Sequence, residues 1–381
     1  MIRSTVAHID LGAIQSNYRS IVAFLGAQPR EAAAPPPDVV AVVKANAYGH
    51  GAAPVALALE AAGARRLACA DIEEAVVLRR AGVGAEILVF GALSVSDLDG
   101  LAEFRLTPTI STPTAAAAVE AAARRRGVRL RYHLKIDTGM HRLGFRHESL
   151  ARTLPPLLAS PHLELAGVYT HFATADDPEH PLMERQRERF ELASRMVGAL
   201  GAPRDALRHA ANSAAILRDA RVWYDLVRPG LLLYGVVPPP LASTLALRPA
   251  MSLRSRLVAI KGLRPGDSVG YGARFTADRP CTIGVVPAGY ADGLDLRLAG
   301  RGVVLVGGRR APIVGAVSMD MITVDLTGVP ARPGDEVVLL GEQGEGARID
   351  VREMAAAVGT IPWETLCRVG TRIERIYNSA E

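Results

Sequence analysis

Lysine is rare in this chain, and its few lysines are the first candidates for chemistry. Of the 44 lysines and arginines together, only Lys44, Lys135 and Lys261 are lysines. An arginine guanidinium stays protonated at any working pH, whereas a lysine amine can lose its proton and become a nucleophile or a base. Lys261 lies in a polar, turn-rich stretch that indicates a surface position. We therefore expect the chemistry to depend on Lys44 and Lys135.

The residues after Lys44, together with two later segments, are suited to holding a phosphate ester. Tyr48 follows Lys44 in a glycine-rich stretch, while Ser213 and Gly230 add a second hydroxyl and a backbone amide. Hydroxyls and backbone amides of glycine-containing turns bind phosphate groups well. A lysine close to such phosphate-binding groups is typical of a pyridoxal phosphate site, where the lysine forms a Schiff base. The sequence contains no GxxxxGK[ST] nucleotide motif that would compete with this interpretation.

Strand-like and helix-like segments alternate through the first part of the chain, which indicates a parallel sheet. Eight strand candidates fit a closed (β/α)8 barrel of the TIM type. An open doubly wound sheet is the alternative, but no GxGxxG opens a helix after the first strand, which argues against dinucleotide binding. The predicted strands are 39–43, 66–70, 86–90, Thr107–Ile110, 130–136, Leu163–Tyr169, 207–211 and 226–233, and the predicted helices include 54–62, 72–81, 115–126, 148–158 and 183–200.

Three consecutive prolines at 238–240 mark the predicted domain boundary, because proline cannot continue a helix or a central strand. Short strands separated by turns follow, which is typical of a mostly antiparallel β domain. We therefore expect a barrel at 11–237 and a C-terminal β domain at 238–381, with residues 1–10 joining the second domain as a strand. Near the end of the chain, only 351–358 has a helical pattern.

The unusual residues of the barrel fall at the ends of its predicted strands. Because the reactive groups of (β/α)8 barrels lie at the carboxyl ends of the strands, this placement predicts one shared site. The residues concerned are Lys44, Lys135, His171, Asn212, Ser213, Arg228, Gly230 and Leu231.

The composition narrows the class of protein. Of the 381 residues, 49% are hydrophobic and the net charge is +5, which is typical of a globular protein. The basic residues are scattered except for arginines 124–126, which lie at the C-terminal end of a predicted helix, where the helix dipole favours positive charge. We therefore expect no nucleic-acid partner.

The cysteines and the apolar runs predict the compartment. Cys69, Cys281 and Cys367 are far apart and show no metal-ligand spacing, so we expect a reducing environment, no structural disulfide and no metal site. No apolar run approaches membrane-spanning length, and the first residues lack the apolar stretch of a signal peptide. We expect a cytoplasmic protein without a membrane partner.

Eight short motifs, in order along the chain, together resemble those of the alanine racemases, a family of pyridoxal phosphate-dependent enzymes of fold type III. The combination is specific and covers essentially the whole chain, although each piece alone would be weak. The motifs are AVVKANAYGHG at 41–51, KIDTGMHRLG at 135–144, YTHFA at 169–173, ANSA at 211–214, RPGLLLYG at 228–235, VGYG at 269–272, GYADG at 289–293 and SMD at 318–320.

The resemblance implies an amino-acid racemase that interconverts L- and D-alanine by a two-base mechanism and supplies D-alanine for peptidoglycan in the cell wall. Lys44 would hold pyridoxal 5'-phosphate and act as one base, and Tyr271 would be the other. A free tyrosine has a pKa near ~10, so its surroundings would have to activate it. The resemblance also implies a homodimer in which Tyr271 and Met319 are supplied in trans by the partner subunit.

The resemblance implies further roles inside the barrel. Arg228, held by His171, would face the pyridine nitrogen of the cofactor, where many related enzymes use a carboxylate. Arg142 would bind the substrate carboxylate together with the backbone amide of Met319. Lys135 matches a position that is often carbamylated, a change that would turn a cation into an anion able to orient Arg142.

One departure from the family pattern concerns Trp363, which stands where the family usually has a tyrosine that binds the phosphate. The alternatives that stay open are a racemase of the same build acting on serine, lysine or arginine, and a non-catalytic pyridoxal phosphate carrier. Amino-acid decarboxylation on a similar barrel would call for an acid in place of Arg228.

Overall fold

The computed structural model describes residues 4–28, 35–91, 93 and 98–378. Residues 1–3 and 379–381, at the two ends of the expected C-terminal domain, lie outside the described residues.

Within the described ranges, eight parallel strands close into a barrel. The first strand pairs with the eighth, Asp38 opposite Leu226, and the fourth pairs with the fifth, Thr109 opposite His133. The predicted (β/α)8 barrel is therefore confirmed. The barrel strands are Asp38–Val42, Arg66–Cys69, Glu86–Val89, Thr107–Ile110, Leu130–Asp137, Leu163–Tyr169, Leu207–Asn212 and Leu226–Arg228, with a short additional strand, Phe145–Arg146, beside the fifth.

The barrel helices begin and end where the sequence chemistry indicates. Asp71 and Thr112 cap the helices Ile72–Arg80 and Pro113–Arg126 by accepting hydrogen bonds from backbone amides of the first turn. Gly127, with a φ of 62°, ends the second of these helices in the left-handed conformation. The other helices of this domain are Leu11–Ala27, Ala52–Ala61, Asp99–Glu103, Leu150–Thr153, Pro155–Leu158, Leu182–Ala199 and Ser213–Arg218, with a left-handed turn at Lys44–Tyr48 and 3-10 turns at His147–Ser149, Ala220–Val222 and Leu231–Tyr234.

Two predicted elements are shorter than the sequence pattern suggested. The strand expected at 226–233 ends at Arg228, because Pro229 has no amide hydrogen and Gly230, at φ −113° and ψ −84°, leaves the β conformation. The helix expected at 148–158 is broken before Pro155, which cannot donate the hydrogen bond that would continue it.

The C-terminal domain is a mostly antiparallel sheet, as expected. The N-terminal strand Val6–Asp10 lies in this sheet, antiparallel to Met251–Arg256 and parallel to Glu374–Asn378. The remaining strands are Ala259–Leu263, Ser268–Val269, Phe275–Thr276, Cys281–Val286, Val303–Val306, Arg309–Val314, Ile322–Asp325, Glu336–Gln343 and Ala347–Ile349, and the 3-10 turns are Tyr271–Ala273, Tyr290–Asp292 and Leu296–Leu298.

The domain has two helices near its end, Val351–Ala357 and Pro362–Cys367, so the expectation of a single helix there was wrong. The second helix begins with a proline at its first position, where the missing amide hydrogen is not needed. Gly49 of the barrel packs so closely on this helix that a Cβ would lie 2.3 Å from the Leu366 carbonyl oxygen. The C-terminal domain therefore closes directly over the turn that follows the first barrel strand. None of the described helices is both long and apolar enough to span a bilayer.

Candidate active site

Lys44 begins an unusual left-handed turn after the first barrel strand. Ala45, Asn46, Ala47 and Tyr48 all have φ values between 51° and 54°. Each non-glycine residue in this conformation costs roughly 1–2 kcal/mol, and such strain is concentrated at functional sites. The turn places Lys44 at one end and Tyr48 at the other, so its conformation determines the distance between these two side chains.

Tyr48, Ser213 and Gly230 form a cradle of hydroxyls and a backbone amide. The Gly230 amide donates to the Ser213 hydroxyl oxygen at 2.9 Å. A Cβ at Gly230 would lie only 2.4 Å from the Tyr48 hydroxyl oxygen, so a glycine is required for this close approach. Asn212 stands beside the cradle and caps the helix Ser213–Arg218 by accepting from the Ala215 amide at 3.0 Å. Such a cradle can donate several hydrogen bonds to one anionic group.

Arg228 is 3% exposed and held by the surrounding strand ends. Its guanidinium donates to the carbonyl oxygens of Thr170 and Ala210 at 2.9 Å each, and it contacts Nδ1 of His209 at 2.8 Å and Nδ1 of His171 at 3.2 Å. Burial lowers the pKa of Arg228 to about 10, so it stays charged at neutral pH. Burial and the charge of Arg228 lower the pKa values of His171 and His209 well below the ordinary range. Both imidazoles are therefore neutral and can accept from the arginine.

His209 and His133 extend this arrangement, and the sequence analysis did not single them out. Nε2 of His209 lies 2.8 Å from Nδ1 of His133. Since Nδ1 of His209 accepts from Arg228, its Nε2 carries the hydrogen and donates to His133. Burial lowers the pKa of His133 to about 3, so this imidazole is also neutral and able to accept. The sequence did contain a signal for this pair, since each of the two histidines lies within a predicted barrel strand. A polar side chain that faces a barrel interior needs a hydrogen-bond partner.

Both lysines of the site have pKa values below the ordinary range. Burial and then the charge of Arg142 lower the pKa of Lys44. Burial, with Arg142 and Arg228, lowers the pKa of Lys135 to about 8. Each amine therefore gives up its proton more readily than a surface lysine would. Lys261, in contrast, is exposed, as the sequence indicated.

One cavity of about 460 Å³ at the carboxyl ends of the barrel strands gathers most of the predicted site residues. Trp363 reaches this cavity from the C-terminal domain of the same chain. The predicted residues that line it are Lys44, Tyr48, Lys135, Arg142, His171, Asn212, Ser213, Arg228, Gly230, Leu231 and Trp363.

Tyr271 and Met319 do not line this cavity. They are 80% and 52% exposed, and they share a different, surface cavity of about 840 Å³ on the C-terminal domain. Tyr290 and Leu296, two further exposed apolar side chains, line the same surface cavity. A single chain therefore does not bring the two groups of predicted residues together.

Known proteins resemble this chain over its whole length. The family models "Alanine racemase, N-terminal domain" and "Alanine racemase, C-terminal domain" match residues 9–238 and 250–377. The alanine racemase of Carboxydothermus hydrogenoformans is 43% identical over 383 residues, covering 99% of this chain and 100% of the relative. The crystal structure of alanine racemase from D-cycloserine producing Streptomyces lavendulae has a TM-score of 0.93 at 36% identity, covering 100% of this chain and 98% of that one. The alanine racemase from Bacillus anthracis with bound L-Ala-P has a TM-score of 0.88 at 35% identity, with 99% and 96% covered.

Proposed function

The chain belongs to the alanine racemase family and is an amino-acid racemase that interconverts L- and D-alanine. We propose that it works with pyridoxal 5'-phosphate bound in the cavity at Lys44. One observation carries this proposal. Lys44 and the cradle that begins at Tyr48 lie at opposite ends of the same left-handed turn. A turn of this kind can hold the aldehyde end and the phosphate end of one small cofactor at the same time.

The donors in the cavity fit this cofactor. The Tyr48 and Ser213 hydroxyls suit a phosphate monoester, and the Gly230 amide orients the Ser213 hydroxyl by donating to its oxygen. Gly230 also leaves room where a Cβ would collide with Tyr48. Lys44 has a lowered pKa, as an amine that must react with an aldehyde requires. Leu231 adds a second backbone amide beside Gly230.

When bound, pyridoxal 5'-phosphate withdraws electrons from the amino acid and makes its α-hydrogen acidic. In this proposal, Lys44 removes or returns that proton on one face of the substrate carbon. Burial and the charge of Arg142 lower the pKa of Lys44, so the amine gives up its proton more readily than a surface lysine and is better suited to act as a base. Arg142 lies at the same cavity and binds the substrate carboxylate, which leaves the α-carbon directed toward Lys44.

Racemisation needs a second proton donor or acceptor on the opposite face, and we assign this role to Tyr271 of a partner subunit. The exposure of Tyr271 and Met319 on one surface supports the assignment, since both residues are free to enter the cavity of another chain. The exposed apolar side chains Tyr290 and Leu296 beside them suit a subunit interface. The proposed enzyme is therefore a homodimer whose active sites are completed in trans.

Arg228 and Lys135 have supporting roles in this proposal. Arg228 can donate hydrogen bonds but has no acceptor atom, so it would hydrogen-bond an unprotonated ring nitrogen and could not accept from a protonated one. The neutral His171 and His209 keep its guanidinium directed into the cavity. Lys135, with its pKa lowered to about 8, has the uncharged amine fraction that carbamylation by carbon dioxide requires. The resulting anion would balance the positive charges of Arg142 and Arg228.

The first experiment tests the substrate. The purified, cofactor-loaded protein is incubated with L-alanine, L-serine, L-lysine and L-arginine, and the enantiomers are separated by chiral chromatography. D-Alanine should form much faster than the other D-amino acids. A faster reaction with another amino acid would overturn the assignment of alanine and would direct attention to Trp363.

A second experiment tests the contribution in trans. Lys44→Ala and Tyr271→Phe are each expected to be nearly inactive as homodimers. Mixed under conditions that exchange subunits, they form heterodimers in which one of the two sites has both bases intact. Random pairing should restore about a quarter of wild-type activity, because about half the dimers are mixed and each has one complete site. No recovery, in a mixture shown to contain heterodimers, would contradict the shared site.

The proposed cellular role is the supply of D-alanine for peptidoglycan. Deleting the gene should make growth of the source organism dependent on added D-alanine. Growth without D-alanine would indicate a different role or a second source of this amino acid.

A further inference from the structure

Glu74 occupies a position that usually serves only to cap a helix. Asp71 caps the helix Ile72–Arg80 by accepting from the Glu74 amide at 2.8 Å. In the usual capping box, the glutamate at the third helical position accepts in return from the amide of the capping residue. Here the carboxylate makes other contacts instead. Oε2 accepts from the Ala70 amide at 2.7 Å and Oε1 accepts from the Ala45 amide at 2.6 Å.

The contact with Ala45 ties the helix to the left-handed turn at the active site. Ala45 is the first residue of the turn with a positive φ, and it directly follows Lys44. Other hydrogen bonds hold the rest of the turn. Asn46 Oδ1 accepts from the Ala52 amide at 2.7 Å, and the Gly49 carbonyl accepts from Arg375 Nε at 2.7 Å. Glu74 therefore supplies the side-chain restraint at the Lys44 end.

Strain makes this restraint important. Four successive non-glycine residues in the left-handed conformation would relax toward other conformations unless the surroundings hold them. A hydrogen bond from an amide to a carboxylate is charge-assisted and stronger than a bond between neutral groups. Since the same carboxylate also holds Ala70, at the end of the second barrel strand, it fixes the turn relative to the barrel itself.

We propose that Glu74 is a positioning residue, which holds the left-handed turn so that Lys44 and Tyr48 both face the cofactor cavity. The proposal rests on the cofactor site proposed above. It assigns Glu74 no contact with substrate or cofactor, and its effect reaches the reaction through the backbone at Ala45.

The test compares Glu74→Gln with Glu60→Gln. Glu60 is a matched control, because its carboxylate accepts from the Gly84 amide at 3.0 Å and the Ala85 amide at 2.7 Å, away from the cavity. In Glu74→Gln, the glutamine can accept through one atom only, and its amide group faces the other backbone donor, because Ala45 and Ala70 bond to different carboxylate oxygens. In Glu60→Gln, one oxygen can still accept from both amides, because both bond to Oε1. Glu74→Gln should therefore lose more thermal stability than Glu60→Gln.

The two variants should differ at the active site. In the apoprotein, hydrogen exchange of the peptide containing residues 44–49 should become at least about tenfold faster in Glu74→Gln, as expected for the loss of a hydrogen bond to a charged group. The same variant should bind pyridoxal 5'-phosphate at least about tenfold more weakly in equilibrium dialysis. Glu60→Gln should leave both quantities within about twofold of wild type. Glu74→Asp keeps the charge but is one carbon shorter, so it should resemble Glu74→Gln.

Equal hydrogen exchange at residues 44–49 in Glu74→Gln, Glu60→Gln and wild type would overturn the proposal, since Glu74 would then be only a helix cap. If Glu74→Gln does not fold, Glu74→Asp is measured against the same criterion. Failure of wild-type protein to bind the cofactor would instead refute the proposed function. The exchange comparison uses the apoprotein, so it distinguishes these two failures.

Discussion

Replacing Gly230 with alanine should weaken cofactor binding through one steric contact. The new Cβ would lie 2.4 Å from the Tyr48 hydroxyl oxygen, about 1 Å inside the 3.4 Å at which ordinary van der Waals contact begins. Tyr48 cannot easily retreat, because it is 7% exposed and its ring packs on Tyr234 with centroids 4.9 Å apart. The φ of Gly230 is −113°, so left-handed strain makes no contribution.

The size of the effect follows from this overlap. Forcing an extra carbon into a packed site costs about 1–3 kcal/mol. Because about 1.4 kcal/mol corresponds to a tenfold change in Kd, the Kd for pyridoxal 5'-phosphate should rise roughly 5- to 150-fold. The Kd is measured by equilibrium dialysis of the apoprotein. Gly198→Ala is the control, since a Cβ there meets nothing within 4 Å and alanine is the better helix former.

A double-mutant cycle with Tyr48→Phe identifies the contact responsible. Removing the hydroxyl removes the closest atom, so Gly230→Ala should cost less in the Tyr48→Phe background than in wild type. Two results would refute the reasoning. One is a Kd for Gly230→Ala equal to that of Gly198→Ala, and the other is full additivity of the two substitutions.

Three further predictions concern other residues of the site. Tyr271→Phe should keep its cofactor yet lose about 10²- to 10⁴-fold in kcat in both directions, measured with L- and D-alanine, and a rate near wild type would exclude it as the second base. For Lys135, both folded and unfolded chains hold the proton below about pH 8, and between about pH 8 and 10.5 only the unfolded chain does. The free energy of unfolding of wild type relative to Lys135→Met should therefore rise by about 3 kcal/mol across that interval in carbon dioxide-free buffer, as followed by urea denaturation, and a flat difference would contradict the lowered pKa. Trp363→Tyr should change kcat/KM for alanine by less than about tenfold, as a tolerated aromatic exchange, and a larger change would make Trp363 a determinant of substrate choice.

The sequence alone determined the features that depend on local pattern. Apolar runs such as 39–43 predicted barrel strands because strands buried on both faces must be apolar almost throughout. The scarcity of lysine directed attention to Lys44 and Lys135, whose chemistry arginine cannot replace. The strand ends predicted which side chains would meet, because parallel strands of a barrel present their carboxyl ends on one face.

The tertiary structure decided what depends on contacts between distant segments. The sequence analysis did not identify Glu74, and its contact with Ala45 exists only because two βα units lie side by side. His133 and His209 are 76 residues apart, and only barrel closure brings their rings together. No local sequence pattern encodes such contacts, because each residue fits its own helix or strand equally well whether or not the distant partner is present. Tyr271 follows the same principle, because only the folded structure places it in a different cavity from Lys44.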